Sequence, residues 1–182
     1  NTESERALAR VALEMHSGAG LSVLVGGLGL GYTAQAALSS PRVAGVEVVE
    51  LLPEVIDWLA RDLVPLSSEL KADDRLVTVA GDVYARLAAE PRESFDVILI
   101  DVDHAPNDRL GDSNPFFYTE VGLTKARRHL APGGVLGVWS YAGSSEFSEA
   151  LRRVFDEVRV EPVTFFNDLV EEETTDWLFF AR

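Results

Sequence analysis

Apolar and polar positions along the chain follow two periods, and the period switches repeatedly. Leu8, Val11, Ala12 and Met15 fall on one stripe, which predicts a helix over residues 3–15. The continuous apolar run Leu21–Gly26 predicts a first, buried strand, and a helix over 31–39 follows it and stops before Pro41. Val43–Leu51 reads as a second strand, and Pro53 suits the first turn of one helix spanning PEVIDWLARDLV, residues 53–64. Arg75–Ala80 is a third strand, followed by a short helix over 83–89. Phe95–Val102 is the most apolar run of all and predicts a central strand. Beyond it come a polar loop over 103–115, a helix over 116–130 closed by Ala-Pro-Gly-Gly, and a fifth strand at 135–140. Ser144 is placed to cap a helix over 144–155. Two late strands, 158–165 and 177–181, are joined by an acidic loop with no helix between them, which predicts antiparallel pairing.

Alternation of strand and helix through the first 150 or so residues defines an α/β fold, a doubly wound and mostly parallel sheet of the Rossmann-like kind with helices on both faces. No composition break marks a boundary, so one domain is expected over 1–182, with 1–18 as its leading helix. In such sheets ligands sit beyond the carboxyl ends of the strands, beside the first strand where the winding reverses. The residues that immediately follow each strand are therefore the candidates for chemistry.

Composition narrows the classes. The 182 residues carry 16 Lys plus Arg against 30 Asp plus Glu, a net charge of −14, which argues against binding a nucleic-acid backbone and is compatible with a cationic substrate. Cysteine is absent, and the three histidines, His16, His104 and His129, lack metal-ligand spacing, so no metal is expected. No apolar run reaches the ~20 residues of a membrane span and no secretory leader pattern is visible, giving a cytoplasmic expectation with no membrane partner.

The richest stretch is Ser22–Leu38, SVLVGGLGLGYTAQAAL. A strand, then Gly26, Gly27, Gly29 and Gly31, then a helix start is the arrangement that brings backbone N–H groups to a nucleotide or nucleoside. Its bland alternative is a tight turn that needs small residues. Glu50 ends the second strand at roughly the spacing, ~20 residues on, at which a carboxylate accepts hydrogen bonds from ribose hydroxyls; otherwise it is a solvated strand end. Asp82 either reaches an adenine amino group or caps the helix beginning at Val83. Asp101 stands behind five apolar residues at the mouth of the sheet with Asp103 and His104 close behind, a candidate proton acceptor or, more plainly, a loop cap. Trp139, Ser140 and Tyr141 end the fifth strand, where the rings wall a pocket or simply pack. His16 and His129, near helix ends, read as capping residues, and Glu171–Glu173 as a solvated loop. The late aromatics, Phe165 to Phe180, read as core or as an interface for a homodimer.

Taken together, VLVGGLGLG, VEVVELLPEVIDW, VTVAGDVYARL, SFDVILIDVDHAP and FFYTEVGLTKARRHLAPGGVLGVWS resemble the S-adenosylmethionine-dependent methyltransferase fold, and within it the spermidine synthase-like aminopropyltransferases, over roughly residues 20–141. The resemblance implies a seven-stranded sheet with the last strand antiparallel. It implies that Gly26, Gly27, Gly29 and Gly31 line the methionine end of the donor, that Glu50 with Leu51 holds ribose, and that Asp82 with Val83 flanks adenine. Asp101 would then be both a donor contact and the carboxylate that accepts the amine proton, assisted by Asp103, His104 and Tyr141. The implied donor is S-adenosylmethionine or its decarboxylated form, leaving S-adenosylhomocysteine or methylthioadenosine, without a metal. Two positions depart from the family pattern: Gly29 replaces the acidic residue of its glycine turn, and His104 replaces the second aspartate after the fourth strand.

The leading expectation is a transferase that moves a methyl or aminopropyl group to a small amine. The alternatives are a non-catalytic binder of S-adenosylmethionine or methylthioadenosine and a nicotinamide-dinucleotide domain, the last because Gly29-x-Gly31-x-x-Ala34 loosely meets that fingerprint.

Overall fold

The computed structural model describes residues 2–102, 105–106, 114–167 and 171–182. Helix α1 (Glu3–Met15) precedes strand β1 (Leu21–Gly26), helix α2 (Tyr32–Leu38) and strand β2 (Val43–Glu50). Helices α3 (Pro53–Ala60) and α4 (Ser67–Lys71) lead to β3 (Leu76–Ala80), α5 (Val83–Ala88) and β4 (Phe95–Ile100). Then come α6 (Asn114–Phe117), α7 (Glu120–Arg127), β5 (Leu130–Ser140), α8 (Ser145–Val154), β6 (Val158–Asn167) and β7 (Glu172–Ala181). The strands form one seven-stranded sheet in the order β3-β2-β1-β4-β5-β7-β6. β1 to β5 are parallel, and β7 runs antiparallel to both its neighbours, as the lack of a helix between the late strands implies. The winding reverses at β1 and β4, the two central strands, whose side chains are the most completely buried.

Each face of the sheet carries its own core. On one, α1, α2 and α3 pack Leu8, Val11, Ala34 and Val55 against Val23, Val25, Val97 and Leu99. On the other, α5, α7 and α8 pack Leu87, Leu123 and Leu151 against Leu24, Ile98, Ile100 and Val138. Alternation of inward directions along β1 and β4 assigns neighbouring residues to opposite cores, which holds both strand ends rigidly between two helical layers.

Several expectations need correction. The helix predicted over 53–64 ends at Ala60. Asp62 adopts φ 59°, and Leu63 N donates to Trp58 O at 2.9 Å while Asp62 N donates to Leu59 O at 3.3 Å, a Schellman closure with aspartate in the place glycine usually takes. The helix predicted over 116–130 is two, α6 and α7, with Thr119 capping the second through a bond from Gly122 N. Ala131–Gly134 belongs to β5, not to a helix end: Leu130 pairs with Phe95 and Val135 with Val97, so the intervening residues bulge out of the ladder. Glu172 and Glu173, expected in a loop, pair with Asn167 and Phe166 as the start of β7.

Candidate functional site

The corner where β1 hands over to α2 is tied to the neighbouring strand ends on both sides. Gly27 N donates to Val49 O at 2.9 Å, and Asp101 N donates to Gly26 O at 2.8 Å, so the ladder continues one residue past each strand. Gly27 has φ +96°, and a Cβ there would stand 2.1 Å from the Asp101 carbonyl oxygen. Only glycine fits. Gly31, at φ +89° on the N-cap of α2, is closed in by Leu70, whereas Gly29, at φ +49°, has nothing within 4 Å of where its Cβ would be. The turn thus has a packed inner wall and one open outer corner.

Glu50 is buried, and its carboxylate braces the turn: Oε2 accepts Leu28 N at 2.7 Å and Oε1 accepts Leu52 N at 2.8 Å. Each oxygen of an ionised carboxylate has a second lone-pair direction, so two N–H bonds leave acceptor capacity for ligand hydroxyls. Leu51 beside it is 65% exposed and Leu30 on the turn 51%, which gives the mouth two apolar flanks. From the next strand, Gly81 N donates to Glu50 O at 2.9 Å. Asp82 caps α5, its Oδ1 accepting Tyr84 N at 2.8 Å and Ala85 N at 3.2 Å, and the Val83 side chain lies against Gly26. The plain capping reading of Asp82 is therefore what the geometry displays.

Asp101 is half-buried at the end of β4, and Thr33 Oγ1 donates to its Oδ2 at 2.5 Å. Thr33, the second residue of α2, is a residue that sequence reasoning does not single out; a polar β-branched side chain two positions after Gly31, at a helix start, is the available signal. Gly26, Gly27, Glu50, Val83 and Asp101 are thus joined at one edge of the sheet. Tyr141 stands after β5, 48% exposed and outside the network just described, while Trp139 packs with the core beneath α1. Asp103 and His104 lie outside the described residues. Neither imidazole caps its expected helix, although His16 stands at the C-cap position of α1. His16 Nδ1 accepts Gly18 N at 3.0 Å, and buried His129 meets Ala89 O at the end of α5 through Nε2 at 3.2 Å.

A cleft of about 660 Å³ opens at the opposite edge of the sheet, between His16, Arg127, Gly133 and Arg182. It lies at the amino ends of the parallel strands, away from the edge where doubly wound sheets bind ligands.

No family model matches the chain. A polyamine aminopropyltransferase of Prochlorococcus marinus is 34% identical over 139 residues, covering 76% of this chain and 45% of that protein. Putrescine N-methyltransferase 2 of Nicotiana tabacum is 30% identical over 114 residues, 63% of this chain and 31% of that protein. The chain spans less than half the length of either relative. A crystal structure of spermidine synthase in complex with the transition-state analogue AdoDATO superposes with a TM-score of 0.77 at 23% identity, covering 97% of this chain and 59% of the other. The fold is that of the S-adenosylmethionine-dependent methyltransferases. Within that class the chain is a spermidine synthase-like protein.

Proposed function

We propose that this protein transfers an alkyl group from an S-adenosyl donor to a small amine, with Asp101 as the proton acceptor. The observation that carries the reading is the joining of the Glu50-braced glycine turn to Asp101 through the Gly26–Asp101 backbone bond, which sets a nucleoside corner directly beside a carboxylate. The residues fit such a donor. The open corner at Gly29 admits close approach to backbone, Glu50 has acceptor capacity for a ribose diol, and Leu51 offers an apolar surface to a base. When bound, the donor supplies a carbon already activated by a sulfonium.

The protein's work is then alignment and proton removal. Glu50 holds the sugar and fixes the distance between the donor and the end of β4. Asp101 orients the acceptor ammonium by a charge-assisted hydrogen bond and takes its proton, so that the nitrogen lone pair is free to attack. The new carbon–nitrogen bond forms as the carbon–sulfur bond breaks, the electron pair stays on sulfur, and the proton remains on Asp101 until solvent removes it. The acidic character of the chain favours a cationic acceptor. The two relatives' names divide between aminopropyl and methyl transfer, and both products follow from this chemistry.

A second reading, a donor-binding protein that does not turn over, is motivated by Gly29, which leaves the outer corner of the turn without a side chain. Calorimetric titration with S-adenosylmethionine, its decarboxylated form, methylthioadenosine and NAD tests the binding half of the proposal. Binding of the adenosyl compounds without NAD is the expected result. Preference for NAD, or binding of none, overturns it.

A further inference from the structure

The Thr33 hydroxyl sits between two acceptors on different elements. Its oxygen is 2.5 Å from Asp101 Oδ2 at the end of β4 and 3.2 Å from the backbone carbonyl oxygen of Glu5 in α1. Thr33 is buried at 2% exposure, and its hydroxyl carries one proton, so it donates to one of these at a time. We infer that Thr33 is a positioning residue for Asp101: its hydroxyl, held between Asp101 Oδ2 and the Glu5 carbonyl oxygen, orients the carboxylate and directs the amine proton to Oδ1. This rests on the transferase reading above and adds to it a residue through which the base acts.

With Asp101 ionised, Thr33 donates to Oδ2. The bond fixes the plane of the carboxylate and leaves Oδ1 for other partners. When Asp101 has taken the amine proton on Oδ1, Oδ2 is the carbonyl oxygen of the acid and still accepts from Thr33 Oγ1, more weakly than the carboxylate did. The charges balance throughout: one proton arrives on Asp101 and none leaves Thr33. Protonating Oδ2 instead would set two O–H groups against each other in a buried place, where an unsatisfied donor is costly, so the bond from Thr33 favours Oδ1 as the proton's site. α1 is thereby part of the proton-handling corner, through a main-chain carbonyl that a substitution at Glu5 leaves in place.

Among the described residues, the charged groups on the elements around this corner include Glu3, Glu5 and Arg6 of α1, Glu50 of β2, Asp82 before α5 and Asp176 of β7. Asp103 and His104, which follow Asp101 in the chain, lie outside the described residues. Arg6 donates to Gln35 and lies over the Tyr32 ring, and Asp176 accepts Ser4 Oγ at 2.6 Å. These neighbours are the same in a Thr33→Val variant, which keeps the volume and removes the hydroxyl. A hydrogen bond donated to a carboxylate favours its ionised form, so removing it raises the pH at which Asp101 loses its proton.

The test uses Thr33→Val and Thr33→Ser. Asp101 is followed in the free protein by carboxyl-carbon nuclear magnetic resonance, assigned with Asp101→Asn, and turnover is followed with putrescine and each adenosyl donor. Thr33→Val is expected to move the Asp101 titration up by about one pH unit, with Thr33→Ser returning it to wild type. Turnover of Thr33→Val should fall at least about tenfold in kcat with KM little changed, and its acid limb should move by the same amount. An unmoved Asp101 titration in Thr33→Val overturns the inference. The titration needs no turnover, so a protein that binds donor without reacting would refute the transferase reading and still decide the role of Thr33.

Discussion

Gly27 and Asp101 are in such close contact that a single methyl group cannot be placed between them: the Cβ that Gly27 lacks would lie 2.1 Å from the Asp101 carbonyl oxygen. The glycine turn and the candidate base are consequently one rigid unit. Position 27 also has φ +96°. Gly27→Ala therefore suffers both backbone strain and a clash with main chain that no rotamer relieves, and should destabilise the protein by more than about 2 kcal/mol. Gly29→Ala, at φ +49° with open space around it, should lose only about 1 kcal/mol. Denaturant midpoints of the two variants check the contrast; equal losses would contradict it.

Removing the Glu50 carboxylate should weaken both the glycine turn and nucleoside binding. Glu50→Ala frees the N–H groups of Leu28 and Leu52 and deletes the acceptor proposed for ribose. Affinity for methylthioadenosine should fall by roughly 1.5–3 kcal/mol, the scale of hydrogen bonds to a charged acceptor. Calorimetry reads this directly, and unchanged affinity would return Glu50 to a purely structural brace.

Much of this corner is legible in the amino-acid sequence. Four glycines directly after an apolar strand announce the turn, and Glu50, Asp82 and Asp101 each follow a recognisable strand. Where sequence and structure part, a particular contact overrides a local rule. The periodic pattern of PEVIDWLARDLV runs on past Ala60, but Asp62 takes the left-handed conformation that closes α3. Ala-Pro-Gly-Gly has the composition of a helix end, yet Leu130 already pairs with Phe95, and the bulge absorbs the proline and glycines. Glu172 and Glu173 look like loop because charged residues are poor strand formers, but cross-strand pairing with β6 makes them strand. Thr33 gives little signal in the sequence because its partners lie 68 and 28 positions away along the chain.

Gly29→Asp should be tolerated and change donor preference. Aspartate accepts left-handed backbone better than most residues, and the site is open. It places an acidic group at the turn position where this chain departs from the family pattern it resembles. The ratio of kcat/KM for the decarboxylated donor to that for S-adenosylmethionine should rise at least about fivefold, since a carboxylate there attracts the amine tail and repels a carboxylate-bearing one. Competition between the two donors measures the ratio; a fall would contradict the placement of the donor tail.

Stability should weaken in mild acid through His129. Burial, aided by the Arg86 and Arg128 guanidinium groups, holds its imidazole below the usual histidine range, against the opposing bonds to the Ala89 and Leu87 carbonyls. A depressed histidine binds its proton more readily in the unfolded chain, so stability is full above about pH 6.5 and is lost as pH falls below it. His129→Gln should flatten that dependence. Melting temperatures at pH 7.5 and 5.5 for both proteins check the sign, and a wild type more stable at the lower pH would contradict it.

At high pH the buried pair Tyr84 and Tyr118, whose hydroxyls lie 3.0 Å apart, should act in the other direction. Burial pushes both phenols far above their ordinary value. The unfolded chain releases these protons near pH 10 and the folded one does not, so stability falls as pH rises beyond about 10. Ultraviolet titration should show that the two ionise only with unfolding; a folded protein in which all four tyrosines ionise near pH 10 would contradict the buried pair.

The central claim, that Asp101 takes a proton from an amine attacking an S-adenosyl donor, is tested most directly by product analysis with wild type and Asp101→Asn. Each protein is incubated with putrescine and, separately, S-adenosylmethionine and its decarboxylated form, and the amine and nucleoside products are identified by mass spectrometry. Wild type should yield an N-alkylated amine with an equal amount of S-adenosylhomocysteine or methylthioadenosine, and Asp101→Asn should be slower by roughly a hundredfold or more while still binding the nucleoside. Absence of alkylated amine with both donors, or wild-type turnover by Asp101→Asn, would contradict the claim.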